Sequence, residues 1–82
     1  MKQNLEASLS ALIMSIASSA AISMGMTPDT DGNLQKDPMM ARFHLDLLKI
    51  LEEKTKNNLT SEEKKLLTQL ITDLQLKYVE LK

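Results

Sequence analysis

Eighty-two residues, 43% of them apolar and only Phe43 and Tyr78 aromatic, make one domain at most, with a core drawn from Leu, Ile, Met and Ala, a set that suits interlocking helices. Ten basic against eleven acidic residues, a net charge of −1, deny the chain the basic face that nucleic-acid binding normally demands. The absence of cysteine and the single histidine exclude a disulfide framework, a thiolate zinc site, a cysteine nucleophile and a multi-histidine metal cage within one chain, and fit a cytoplasmic protein.

The first predicted element is a helix over residues 4–24, stopped by Gly25. Between Leu5 and Met24 the only charge is Glu6, and six serines are interspersed. Such a span is long enough to cross a bilayer, and a signal peptide also begins with a polar head. The head here lacks a basic cluster, and a Ser- and Ala-rich helix is weakly hydrophobic, so membrane insertion is not expected. On a helical wheel Leu5, Leu9, Leu12 and Ile16 form a stripe of large residues. Opposite them Ala7, Ala11, Met14, Ser18 and Ala21 recur at heptad spacing, and small side chains there allow two backbones to approach closely. A helix apolar or small on all sides is normally buried on all sides. Two further helices in so short a chain would struggle to cover it, so a second subunit is expected, with these five residues as its interface.

Residues 25–37 read as a loop built on the turn formers Pro28, Asp29, Asp31, Gly32 and Asn33. It is longer than the ~2–8 residues usual between helices, and so is expected either to move or to pack against something. A second helix over 38–56 opens with Asp37 as N-cap and Pro38 at the first helical position. Met40, His44, Leu47, Leu48, Leu51 and Thr55 share one face, flanked by Phe43 and Ile50 on one side and Leu45 on the other. That apolar arc exceeds half the circumference and predicts more than one neighbour. Asn57 and Asn58 break the helix, because Asn tolerates the left-handed conformation.

The third helix, over 60–81, starts with a capping box at Thr60-Ser61-Glu62-Glu63. Leu67, Leu70, Ile71, Leu74, Tyr78 and Leu81 make its narrow seam. The short break before it predicts an antiparallel helical hairpin. Asp46–Lys49, Glu52–Lys56 and Asp73–Lys77 are spaced as helix ion pairs. Leu76 stands opposite the seam with Val79 nearby, and marks a candidate second contact surface. The expected architecture is all-α: a long apolar N-terminal helix plus a hairpin, within 1–82 as one helical domain, assembled as a dimeric bundle.

Several stretches together resemble one family. They are Leu45-Asp46-Leu47-Leu48, the run Leu51-Glu52-Glu53-Lys54-Thr55-Lys56-Asn57-Asn58-Leu59-Thr60, then Glu62-Glu63 and the ending Lys77-Tyr78-Val79-Glu80. With the Ala/Ser/Leu helix ending in Met24-Gly25 and the turn at Pro28, they are similar to the bacterial domain of unknown function numbered 1844, over nearly the whole chain. The Glu-Lys-Thr-Lys run followed by Asn-Leu-Thr is the most specific element. Asn57 stands where that family usually has Gly, and Asp37-Pro38-Met39-Met40 replaces a plainer acidic-aliphatic start to the second helix. The resemblance implies a fold and a bacterial source, and no mechanism.

Candidate chemistry is sparse. His44 is the one side chain suited to acid–base work near neutrality, but no Ser or Asp is placed to form a relay with it, and a hydrogen-bonded core or interface histidine is the better reading. Met24, Met26, Met39, Met40 and His44 flank the loop and are the donor types Cu(I) prefers; Met also fills irregular gaps and serves adaptable binding surfaces. Asp29 to Asn33 echoes a calcium loop, yet Met40 stands where its twelfth-position Glu is required. Glu52, Glu53, Glu62 and Glu63 read as capping and solvated groups rather than catalytic carboxylates. Asn58-Leu59-Thr60 matches a glycosylation acceptor, for which capping is explanation enough. We therefore expect no enzyme, no cofactor and no metal. The expected function is a homodimeric structural or protein-interaction module that offers Met26, Met39, Met40 and Leu76 to a protein partner. The alternatives are a membrane-peripheral module anchored by the first helix and a Met-rich soft-metal binder.

Overall fold

The computed structural model describes residues 7–81 and forms three helices, α1 over Leu9–Ser23, α2 over Pro38–Lys54 and α3 over Ser61–Leu81. Among the described residues there is no strand. α1 begins later than its apolar run suggests. Ser8 has extended backbone (φ −149°, ψ 165°), and its hydroxyl accepts the Ala11 N–H at 3.0 Å. A serine that satisfies one of the four orphan amides of a first turn ends the helix at that point. Ala7 and Ser8 therefore precede the helix, and residues 4–6 of the expected span lie outside the described residues, Leu5 among them.

α1 stops as expected at Gly25, in a Schellman motif. The Met26 N–H reaches the Ala21 carbonyl at 3.0 Å and the Gly25 N–H reaches that of Ile22 at 3.1 Å, with Gly25 in the left-handed region at φ 75°. The loop that follows is ordered by one side chain. The Asp29 carboxylate accepts the N–H groups of Asp31 (2.9 Å) and Asn33 (3.0 Å) and the side-chain amide of Gln35. The Asp29 N–H in turn donates to the Asn33 carbonyl at 2.9 Å. The loop ends are pinned where the Asp37 N–H donates to the Ser23 carbonyl at 2.7 Å, which closes a compact Ω-type loop.

Asp37 caps α2 through its side chain, which accepts the Met40 N–H at 3.2 Å, and Pro38 opens the first turn. The helix ends with the Thr55 hydroxyl donating to the Leu51 carbonyl at 2.6 Å, and Asn57 takes the left-handed conformation, φ 71°. Both hydrogen bonds of the capping box are formed: the Glu63 N–H donates to Thr60 Oγ1 at 3.1 Å, and the Thr60 N–H to Glu63 Oε1 at 2.9 Å.

All three helices contribute to one core of Ile13, Ala17, Ala20, Met24, Ala41, Leu45, Leu48, Leu67 and Leu74. α3 buries the face its seam indicates: Leu67 and Leu74 are buried, and Leu70, Ile71, Tyr78 and Leu81 pack partly against them. The inward faces of the other two helices differ from the wheel reading. α1 turns in Ile13, Ala17, Ala20 and Met24, while Leu12 is exposed. α2 turns in Ala41, Leu45 and Leu48, and leaves Met40 and Phe43 outside. In both cases small alanines decide the outcome, since they permit the close packing of α1 on α2, the most extensive helix contact of the fold. The expected ion pairs also differ. Asp46 meets Arg42 at 3.8 Å, Lys77 meets Glu80 at 3.8 Å, and Asp73 accepts from Gln69 at 3.0 Å. All of these are exposed, where competing pairings differ by only ~0.2–1 kcal/mol and local rotamers choose between them.

Candidate interaction surfaces

The molecule measures 37 × 35 × 15 Å between Cα extremes, with a radius of gyration of 13.4 Å. A packed chain of this length would have about 12 Å. Helix axes pack 8–10 Å apart, so a thickness of 15 Å holds two helices at most. No helix is enclosed, and each keeps an outer face.

The outer face of α1 carries Ala11, Met14, Ser15 and Ser18, all exposed, with Leu12 at its margin. No residue of α1 is charged. Two of its five serines, both half-buried, turn their hydroxyls back on the helix: Ser19 and Ser23 donate to the Ser15 and Ser19 carbonyls at 3.2 and 2.9 Å. Of the five candidate interface residues, Ala11, Met14 and Ser18 lie together on this face, and Ala21 is half-buried at its edge. Ala7 lies before the helix, yet it lines a shallow hollow with Ser8, Ala11, Leu12 and Ser15 at the N-terminal end of the same surface.

A second uncovered apolar surface lies on α2. Met39, Met40, Phe43 and Ile50 are exposed, Met39 to 83% and Phe43 to 53%, and half-buried Leu47 lies between them on the wheel. The periodicity placed most of these residues inside; only the width of the arc signalled that some would remain outside. The Met-rich edge divides in the same way, with Met24 in the core and Met26, Met39 and Met40 exposed. Leu76 and Val79 are exposed on α3, on the side away from its seam.

His44 is half-buried, its Nδ1 is 2.8 Å from the Met40 carbonyl, and its ring meets Phe43 edge-on at 5.3 Å. Both of these contacts lie within its own helix. The Asp29 carboxylate, the centre of the calcium-loop echo, is engaged by the amides of its own turn. Among the described residues no three His, Cys, Asp or Glu side chains gather as a metal site, and no helix is long and apolar enough to cross a membrane.

Comparison with known proteins returns no curated protein and no solved structure that matches the chain. A family model does match, over residues 6–80. That span takes in α1, the Ω loop, α2, the capping box and all of α3 but its last residue, and with it the chain belongs to the family described as the domain of unknown function DUF1844.

Proposed function

We propose that this protein is a homodimeric interaction module without catalytic activity, acting in the cytoplasm, and that two copies pair through the outer face of α1. The observation that carries the reading is the thinness of the fold combined with an exposed helix face that has no charge. Stable domains bury each apolar face against a neighbouring layer, and here α2 and α3 meet α1 while, among the described residues, its outer face stays exposed. The accessible surface supports the same reading. At 6221 Å² it exceeds the ~4,900 Å² of a compact monomer of this mass by more than the ~800 Å² that one partner contributes to a standard interface. Ala11, Ser15 and Ser18 let the paired helices approach closely, and Met14 and Leu12 supply the apolar contact at their flanks.

A protein partner fits this face better than lipid. Helices that lie in a membrane surface carry Lys and Arg along the polar side, and α1 has neither. A dimer through α1 leaves the Met39, Met40 and Phe43 surface for a further protein partner. The mass in solution tests the pairing. Wild type is expected at twice 9.2 kDa by light scattering, and an Ala11→Glu/Ser18→Glu variant at the mass of one chain with unchanged helicity. A wild type that stays at one-chain mass at high concentration, or a variant that keeps the dimer mass, overturns the reading. Flotation of the wild type with liposomes would favour the membrane-peripheral alternative.

A further inference from the structure

At the far end of α2 and the start of α3 a cleft of about 730 Å³ opens between the two helices, above the connection at 55–60. Its floor is apolar: Leu67 is fully buried, and Leu59 and Ile71 are half-buried. Its rim carries Lys49 and Lys56 from α2 and its end, Lys64 from α3, and Glu52 and Glu53 between the two α2 lysines. Among the described residues none of the three lysines has an ion-pair partner. On α2 Lys49 stands i to i+3 and i to i+4 from Glu52 and Glu53, and Lys56 follows just past the end of the helix at Lys54, so a local pair was within reach of Lys49 and is not made. Asn57, whose left-handed backbone turns the chain at the mouth, has a carboxamide with no hydrogen bond among the described residues. Unengaged donors thus ring the turn end of a hollow whose size lies in the ~300–1,000 Å³ range of small-molecule sites.

From these features we propose that the cleft binds a small amphipathic anion. A carboxylate or phosphate head sits between Lys56 and Lys64, beside the Asn57 carboxamide, and a short aliphatic chain lies on Leu59, Leu67 and Ile71. The three lysines outweigh the two glutamates, and Glu52 and Glu53 stand a turn away from Lys56 along α2, so the anionic head belongs at the turn and the chain runs inward. The site uses no residue of α1, and its test is independent of the dimer.

The test is an amide NMR titration of the full chain with octanoate and octyl phosphate, with octanol as the neutral control. Saturable shifts are expected at Asn57, Leu59, Thr68 and Ile71. Octanoate binding should weaken roughly five- to tenfold in Lys56→Gln/Lys64→Gln, the yield of two modest ion pairs, and the wild type should bind octanol more weakly than octanoate by about the same factor. Thr68→Trp, which fills the cleft from an exposed helix position, is expected to abolish the shifts while the helical signal is retained. No saturable shift at these residues, shifts centred on α1, or equal affinity for octanol overturns the proposal. Flotation of the chain with phosphatidylglycerol vesicles through the same lysines would overturn the assignment to a free ligand.

Discussion

Gly25 is held in place by two separate demands. Its φ of 75° lies in the left-handed region, and a Cβ built there would stand 3.1 Å from the Gln35 carbonyl oxygen and 3.2 Å from Lys36 Cγ. Gly32 has the same kind of backbone, φ 81°, but open space around it. Gly32→Ala is therefore expected to cost about 1 kcal/mol and Gly25→Ala at least twice that, as the left-handed penalty is joined by crowding against backbone. Urea melts of the two variants compare them directly. Asn57→Gly should move the other way, by a few tenths to ~1 kcal/mol, since it relieves a left-handed asparagine. These backbone positions were legible in the sequence because Gly and Asn announce them. The alanines were not. Ala17, Ala20 and Ala41 are buried, yet an alanine is equally at home outside, and in a helix without charges nothing in the pattern says which alanines face in.

At the scale of elements, capping chemistry was the most readable layer. Asp37-Pro38 and Thr60 to Glu63 form the bonds that their residue types imply. Thr60→Ala is expected to lower stability by ~1 kcal/mol, within the usual ~0.5–2 kcal/mol for a lost N-cap, and thermal melts by circular dichroism would record it. The start of α1 was misplaced for a related reason. Ser8 is one of six serines in an apolar run, and spacing alone does not pick the one that caps. The inward face of α2 was blurred differently. Its apolar arc serves two directions, and a wheel locates the centre of the whole arc, near Met40 and Leu47, rather than the part that meets α1 and α3. For α3, whose seam is narrow, the same method identified the buried face.

For the whole molecule, the surface left apolar is the main fact. The exposed side chains of Leu12, Met14, Met39, Phe43, Ile50, Leu76 and Val79 are spread over three helices of a thin fold, and the core contains few large residues. Stability is then expected to depend on association. If two copies pair through α1, the melting temperature should rise with protein concentration, because mass action favours the folded dimer. A melting temperature constant over a hundredfold range of concentration would contradict the pairing. The wide apolar arc of α2 and the uncharged α1 made it visible in the sequence that apolar surface would be left outside the core. Which surface meets which partner was not visible there, since that depends on the angle at which α1 lies on α2.

The uneven exposure of the methionines has a chemical consequence. Thioethers are oxidised to sulfoxides at rates that follow their accessibility to solvent. Met24, at 2% exposure, is shielded by the core, Met39, at 83%, stands open on α2, and Met14, at 46%, lies on the α1 face. Among the described methionines Met39 should react first and Met24 last under mild peroxide, in the single chain and in an α1-paired dimer alike. Met14 alone changes place in that order, reacting early in a single chain and late once two α1 faces are joined. The chain thus carries its own footprinting scale, with a fast and a slow reference on either side of the residue that reports pairing.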